Sequence, residues 1–316
     1  MFAVRFKKED AMSRFRSLLA AVALCLFAPA LVLADPATYA SVFGNDADPC
    51  TRDLPCRTLA RALAAVDEGG SVTALDSGRY DEDSIVIKGS VTLAAAPGVR
   101  AELTAKDGGI YVNAEKGDVV ALRNLFLIGQ DTPHNNGIIF NGGDALHVEG
   151  CVVSGWSTKG ILALGASGRL LYVKDSIFRD NGFGVAIDGP VIGSIDGARF
   201  EHNRYGLSIT VSGKATVRNS VASGNSEVGY LSSAIGPTGG TELTIDDSMA
   251  VGNGTGVRAE GFSGAKAIAR VSNSTLIHND VGLRVGASGL LYTRGNNTVA
   301  GNVTDVAGAL TPLPGI

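Results

Sequence analysis

Aromatic side chains are scarce in this 316-residue chain, at 6% with a single tryptophan. That poverty argues against a strong carbohydrate-stacking surface. Proline is modest at 10 residues against 42 glycines. Glycine spread this way excludes collagen and a proline-rich linker, and indicates many tight turns. Charged residues make up only 18% against 45% hydrophobic, which excludes disorder and is ample for one large core. Histidine occurs four times, without the His/Cys/Asp spacing of a zinc site. Long apolar runs are lacking outside the stretch from Leu18 to Leu33.

That stretch reads as a secretory signal. Lys7, Lys8, Arg14 and Arg16 form a basic segment before it, Pro29 interrupts it, and Val32-Leu33-Ala34 offers a small-residue cleavage site before Asp35. The run is short for a transmembrane anchor, and Leu24 before Cys25 does not suit a lipoprotein signal. Export to the periplasm or the extracellular medium is the expectation, with no membrane span once the signal is cleaved. Residues 1–34 carry five of the 27 basic and two of the 31 acidic side chains, leaving 22 against 29. An acidic chain without a basic run argues against nucleic acid and against anionic membrane surfaces.

Of the three cysteines beyond residue 34, Cys50 and Cys56 flank a five-residue loop, and export permits their oxidation. A local disulfide is expected, with a metal pair as the alternative. Cys151, between Gly150 and Val152 in an apolar segment, reads as an inert buried thiol.

Internal periodicity decides the fold. Short strands recur behind a glycine at Gly137, Gly160, Gly184, Gly206, Gly256 and Gly282, with Gly229 a looser member. A second column in step with it is Asn181, Asn203, Asn225, Asn253, Asn279 and Asn302. Five residues before those asparagines stand Ser176, Ala198, Ser220, Ser248, Ser274 and Asn297, with Cys151 at the equivalent place one coil earlier. The residue preceding each is Gly150, Asp175, Gly197, Asn219, Asp247, Asn273 and Asn296, a set restricted to types that tolerate left-handed backbone. Two residues beyond the small column lies an apolar one: Val153, Phe178, Phe200, Ala222, Ala250, Leu276 and Val299.

A coil of tight corner, small residue and interior residue, stacked at about 4.8 Å per rung, is a three-faced right-handed parallel β-helix. Stacked asparagines would share side-chain hydrogen bonds along its axis. The segments alternate with period two and lack the 3.6-residue period of helical or leucine-rich solenoids. One helix is expected, over Thr58–Val66, with Leu59, Ala62, Leu63 and Val66 on one face. A stack of coils exposes its core at the first rung, so this helix reads as a cap. The resulting organisation is a signal peptide over 1–34, a cap with helix and disulfide over 35–69, and an all-β solenoid of about ten coils over 70–316.

The run from Gly44 through Cys50 and Cys56 to Leu59, followed by Gly69 to Tyr80, resembles the start of exported bacterial right-handed β-helix proteins of the pectate-lyase-like superfamily. Their repeats read like Val173–Asn181 here. The resemblance covers essentially all of 35–316. It implies the fold, and it points to lyases, hydrolases and epimerases of polysaccharides as active relatives. The Gly-His-Gly of polygalacturonase-like enzymes and the Asp-Pro-His-Glu of mannuronan epimerases do not occur in this chain.

Asp246 and Asp247 would suit a hydrolase pair, but Asp247 belongs to the corner column. Asp175, Asp196, Asp246 and Asp247 share one corner, where a Ca²⁺ site is the alternative to solvated turns; no other metal or cofactor is expected. His134, His147, His202 and His278 read as exposed turn residues. Tyr172 and Tyr292 recur in related stretches, too far apart for a single platform. Arg258 and Arg284 each follow a strand glycine by two residues and should lie side by side, with Glu260 or a bound anion compensating them. The sequence thus favours a non-catalytic exported protein acting as a rigid envelope or extracellular surface or binding module, with polysaccharide or cell-surface glycan as the candidate partner. A lyase or hydrolase with an unfamiliar site is the alternative.

Overall fold

The structure is a computed structural model that describes residues 36–105, 108–129, 135–165, 167–236 and 239–313. The chain divides into two units, Met1–Ala34 and Asp35–Ile316. The expected signal peptide lies outside the described residues, as does His134. No helix among the described residues is long and apolar enough to cross a membrane.

The second unit is the β-helix. Each coil gives one strand to each of three parallel sheets, as a solenoid of short strands requires. Sheet one has twelve strands, from Ala37–Ala40 to Thr311–Pro312. Sheet two has ten, from Gly78–Glu82 to Thr298–Ala300, and sheet three has ten, from Ile85–Ile87 to Thr304–Ala307. About ten coils were expected, and the two ten-stranded sheets match that.

The sequence columns map onto the corners. Between sheets one and two, Asn124, Gly150, Asp175, Gly197, Asn219, Asp247 and Asn273 all have φ between 46° and 64°. The Ser column beside them is buried, and each hydroxyl takes the backbone N–H of the preceding rung: Ser176 from Cys151, Ser220 from Ala198, Ser248 from Ser220, Ser274 from Ser248. Between sheets two and three the Asn column is buried from Asn181 to Asn279. There each Nδ2 donates to the next Oδ1, through Asn302. The strand glycines follow because there is no room for a side chain. A Cβ on Gly184 would lie 2.6 Å from the Gly206 oxygen, and one on Gly206 would lie 2.5 Å from the Gly229 oxygen. Gly229 is therefore a full member of its column.

The apolar column fills the interior, where Phe178 and Phe200 stack with centroids 5.6 Å apart. The cap closes the first rung. Helix α1 (Leu59–Ala65) buries Leu59 and Ala62, with Leu63 and Val66 packed against the core. The strand Ala37–Ala40 pairs in parallel with Ser71–Ala74, so the cap extends sheet one, and one continuous core runs from Ala40 to Leu291. Cys50 and Cys56 form the expected disulfide.

The opening motif proves structural in detail. Asp46 Oδ1 accepts the Arg57 and Thr58 N–H groups, Thr58 Oγ1 accepts that of Arg61, and Glu82 Oε1 accepts that of Leu59 at 2.7 Å. These bonds satisfy the donors that the start of α1 leaves unpaired.

Candidate functional site

The interior is closed by packing, so a binding surface lies outside it, on the outward rows of the sheets or in the clefts beside them. On sheet three, Arg258 and Arg284 are Cα partners on adjacent rungs, as their spacing requires. Arg258 is ion-paired with Glu260, two residues on in the same strand. Arg284 is exposed and has no ion pair among the described residues.

The sequence reading missed an outward row of sheet three. The residue before each strand glycine also repeats, and this brings Lys159, Phe183, Tyr205 and Val228 into line. Phe183 and Tyr205 stack with centroids 4.6 Å apart. Lys159 lies 5.6 Å from the Phe183 ring, Arg204 lies 5.3 Å from that of Tyr205, and Val228 occupies the next rung. Lys159 also pairs with Asp188, which accepts from Thr210. Every face of this stack is already in use.

Sheet one differs. Its central outward row runs Ala121, His147, Tyr172, Ser194, Thr216, Thr244, Arg270, Tyr292 in unbroken register. His147 and Tyr172 stack with centroids 4.5 Å apart and planes 18° apart. The neighbouring rungs carry Ala121 and Ser194, too short to cover a ring, so Tyr172 presents an open face above Ser194. Arg270 lies 5.9 Å from the Tyr292 ring and closes the far end. Between the ends runs a floor of three hydroxyls, those of Ser194, Thr216 and Thr244. The four rungs from Tyr172 to Arg270 span about 19 Å at the sheet repeat.

His147 thus corrects one expectation: it sits mid-strand in Ala145–Glu149, stacked on a ring, and is not a turn residue. His202 and His278 are exposed at left-handed corners, as expected. Tyr172 and Tyr292 are five rungs apart and form two separate ends. The sequence showed both tyrosines, but it did not show that only short polar residues lie between Tyr172 and the Arg270–Tyr292 pair.

The pattern that defines the right-handed β-helix region matches residues 136–304. The chain belongs to the right-handed β-helix family. No curated protein matches the sequence. Among solved structures, this β-helix resembles the pectate lyase Pel9A at 18% identity, with a TM-score of 0.52, over 87% of this chain and 79% of that one. It also resembles the A-module of the mannuronan C-5 epimerase AlgE6 from Azotobacter vinelandii at 16% identity, with a TM-score of 0.53, over 82% of this chain and 95% of that one. Likeness at such identity is likeness of fold.

The acidic groups bordering the sheet-one trough of this right-handed β-helix protein are engaged by neighbours. Glu242 takes Lys214 Nζ at 2.9 Å and Arg270 Nη1 at 3.0 Å. The Lys214 hydrogen bond, with that of Arg270 adding to it, holds its carboxyl below the ordinary carboxylate range despite some opposing burial. Such a group remains ionised and is ill suited to act as a general acid. Asp246 accepts from Ser272 and Asn273, and Asp196 accepts from Asn219. The acidic corner is not continuous: Arg218 is the Cα partner of both Asp196 and Asp246 and stands between them. Among the described residues no group of three or more His, Cys, Asp or Glu is placed to hold a metal ion. Burial pushes the Glu82 carboxyl upward, against the pull of the Leu59 and Ala60 N–H groups and with a further upward push from Asp46, and the carboxyl caps α1 by accepting the Leu59 N–H.

Proposed function

We propose that this protein is an exported, non-catalytic β-helix that holds a polysaccharide chain along sheet one, between Tyr172 and the Arg270–Tyr292 pair. The observation that carries the reading is the trough itself. One open aromatic face, a floor of three evenly spaced hydroxyls and a cationic, aromatic far end lie on a single straight row. A sugar ring standing on edge above Ser194 would lay its C–H face on Tyr172, and its successors would find hydroxyl partners at each rung. Glycan-facing roles suit export, which the N-terminal segment suggests. The fold likeness to a pectate lyase and a mannuronan epimerase makes uronate polymers the first class to try.

Support for binding without turnover comes from the carboxylates. Those flanking the trough are committed to cations or amides, whereas a hydrolase needs one carboxylic acid held protonated opposite a carboxylate base. The deciding experiment incubates the purified protein with uronate-containing and neutral polysaccharides, measuring retention and new chain ends together. Retention without new ends, lost in Thr216→Arg, is expected, because Thr216 is exposed and an arginine there fills the floor. New reducing or unsaturated ends that depend on one side chain would overturn the non-catalytic reading in favour of a lyase or hydrolase.

A further inference from the structure

Sheet three carries an imbalance that the sheet-one trough does not absorb. Arg258 and Arg284 are stacked like charges, which cost stability when placed directly opposite. Arg258 has its own carboxylate two residues on, Glu260. The equivalent place after Arg284 is Gly286, and a Cβ there would lie 2.7 Å from Glu260 Cβ. The glycine thus makes room for the one carboxylate and supplies none. Two guanidinium groups thus have one carboxylate between them, and it pairs with Arg258. The Nε of Arg258 is a buried donor without an acceptor, and Arg284 is exposed and without an ion pair among the described residues. The rung beyond Arg284 presents Ala307, which adds no charge.

We propose that Arg258 and Arg284 form an oxyanion-binding site for a carboxylate or sulfate group. Guanidinium planes recognise two oxygens of such a group at once. Rungs about 4.8 Å apart let two of them converge on one anion. The anion supplies the missing negative charge at the accessible edges of the two guanidinium groups, Arg258 being part-exposed and Arg284 exposed. The site lies on a different sheet from the trough and does not depend on the polysaccharide reading.

The test uses small probes on the purified protein: galacturonate, its methyl ester and inorganic sulfate, followed through the arginine Nε–H resonances. Saturable shifts of the Arg258 signal with galacturonate or sulfate, and none with the ester, are expected. Arg284→Gln should weaken binding at least tenfold without lowering the thermal midpoint, since Arg284 is exposed and its loss relieves the like-charge contact. Ala307→Glu should do the same by putting a carboxylate beside Arg284. A response to sulfate alone would still identify an oxyanion site, one that prefers tetrahedral groups. Absence of any saturable shift, or affinity unchanged from the native protein in both variants, would overturn the proposal. Thr216→Arg should leave these shifts untouched, so failure of the trough reading and failure of this one are separable.

Discussion

Asn203 donates both its backbone N–H and its Nδ2–H to Oδ1 of Asn225, each at 3.0 Å, in a fully buried corner. Asn225 Nδ2 passes the pattern on to Asn253 and reaches back to the Phe200 carbonyl. Replacing Asn225 by alanine removes four buried hydrogen bonds at once, each worth about 1 kcal/mol, and leaves the Asn203 N–H without its acceptor at a further cost of about 1–3 kcal/mol. Asn225→Ala should therefore lose at least about 3 kcal/mol. Asn302→Ala, at the part-exposed end of the same ladder, should lose far less. Urea unfolding of the two variants compares them directly, and equal midpoints would contradict the ladder's role.

The strand glycines predict a contrast within one residue type. Gly206→Ala drives a methyl group to 2.5 Å from the Gly229 carbonyl in a closely packed sheet. Its cost should be about 1–3 kcal/mol, the range of overpacked cores. Gly89→Ala meets its nearest atom at 3.8 Å, on the Glu68 side chain, and has ordinary backbone geometry. It should be close to neutral. Thermal unfolding midpoints of the pair check this.

Glu82 makes stability depend on pH with a definite sign. Its carboxyl is raised above the ordinary value, chiefly by burial, so the folded state favours the protonated form. The stability it contributes is fully present below the unfolded-state value of about 4.3 and is lost as pH rises through the folded value. Glu82→Gln keeps an oxygen for the Leu59 N–H and removes the charge. Relative to the native protein, the variant should gain stability as pH rises above about 4.3, until the folded-state carboxyl has ionised. A constant difference across that range in urea titrations would refute the assignment.

The interior of this fold was more legible in sequence than its surface. Corner residues such as Asp175 and Asn219 are restricted by backbone conformation, and Asn203 and Ser220 by shared hydrogen bonds, so their columns survive in one chain without comparison to others. Outward residues obey no such restriction. His147 meets Tyr172 only because a coil of 25 residues returns the strand to register, and nothing in the local sequence of either one marks the pair. Arg258 and Arg284 were found because they keep step with the strand glycines. The openness of the Tyr172 face depends on what is absent from the next rung, which a residue-by-residue reading does not weigh.

That openness separates the two ring stacks experimentally. Phe183 and Tyr205 are enclosed by Lys159, Arg204 and Val228, so Phe183→Ala should lower stability through lost packing and leave glycan retention unchanged. Tyr172 has one ring face over His147 and the other over nothing larger than Ser194. Tyr172→Ala should cost little stability, because the residue is half-exposed, and should weaken retention by about tenfold, equivalent to about 1.4 kcal/mol. Tyr172→Phe preserves the face and should retain most of the affinity. If Phe183→Ala lost retention while remaining folded and Tyr172→Ala did not, the binding surface would have to be moved from sheet one to sheet three, where Arg258 stands two rungs beyond Tyr205.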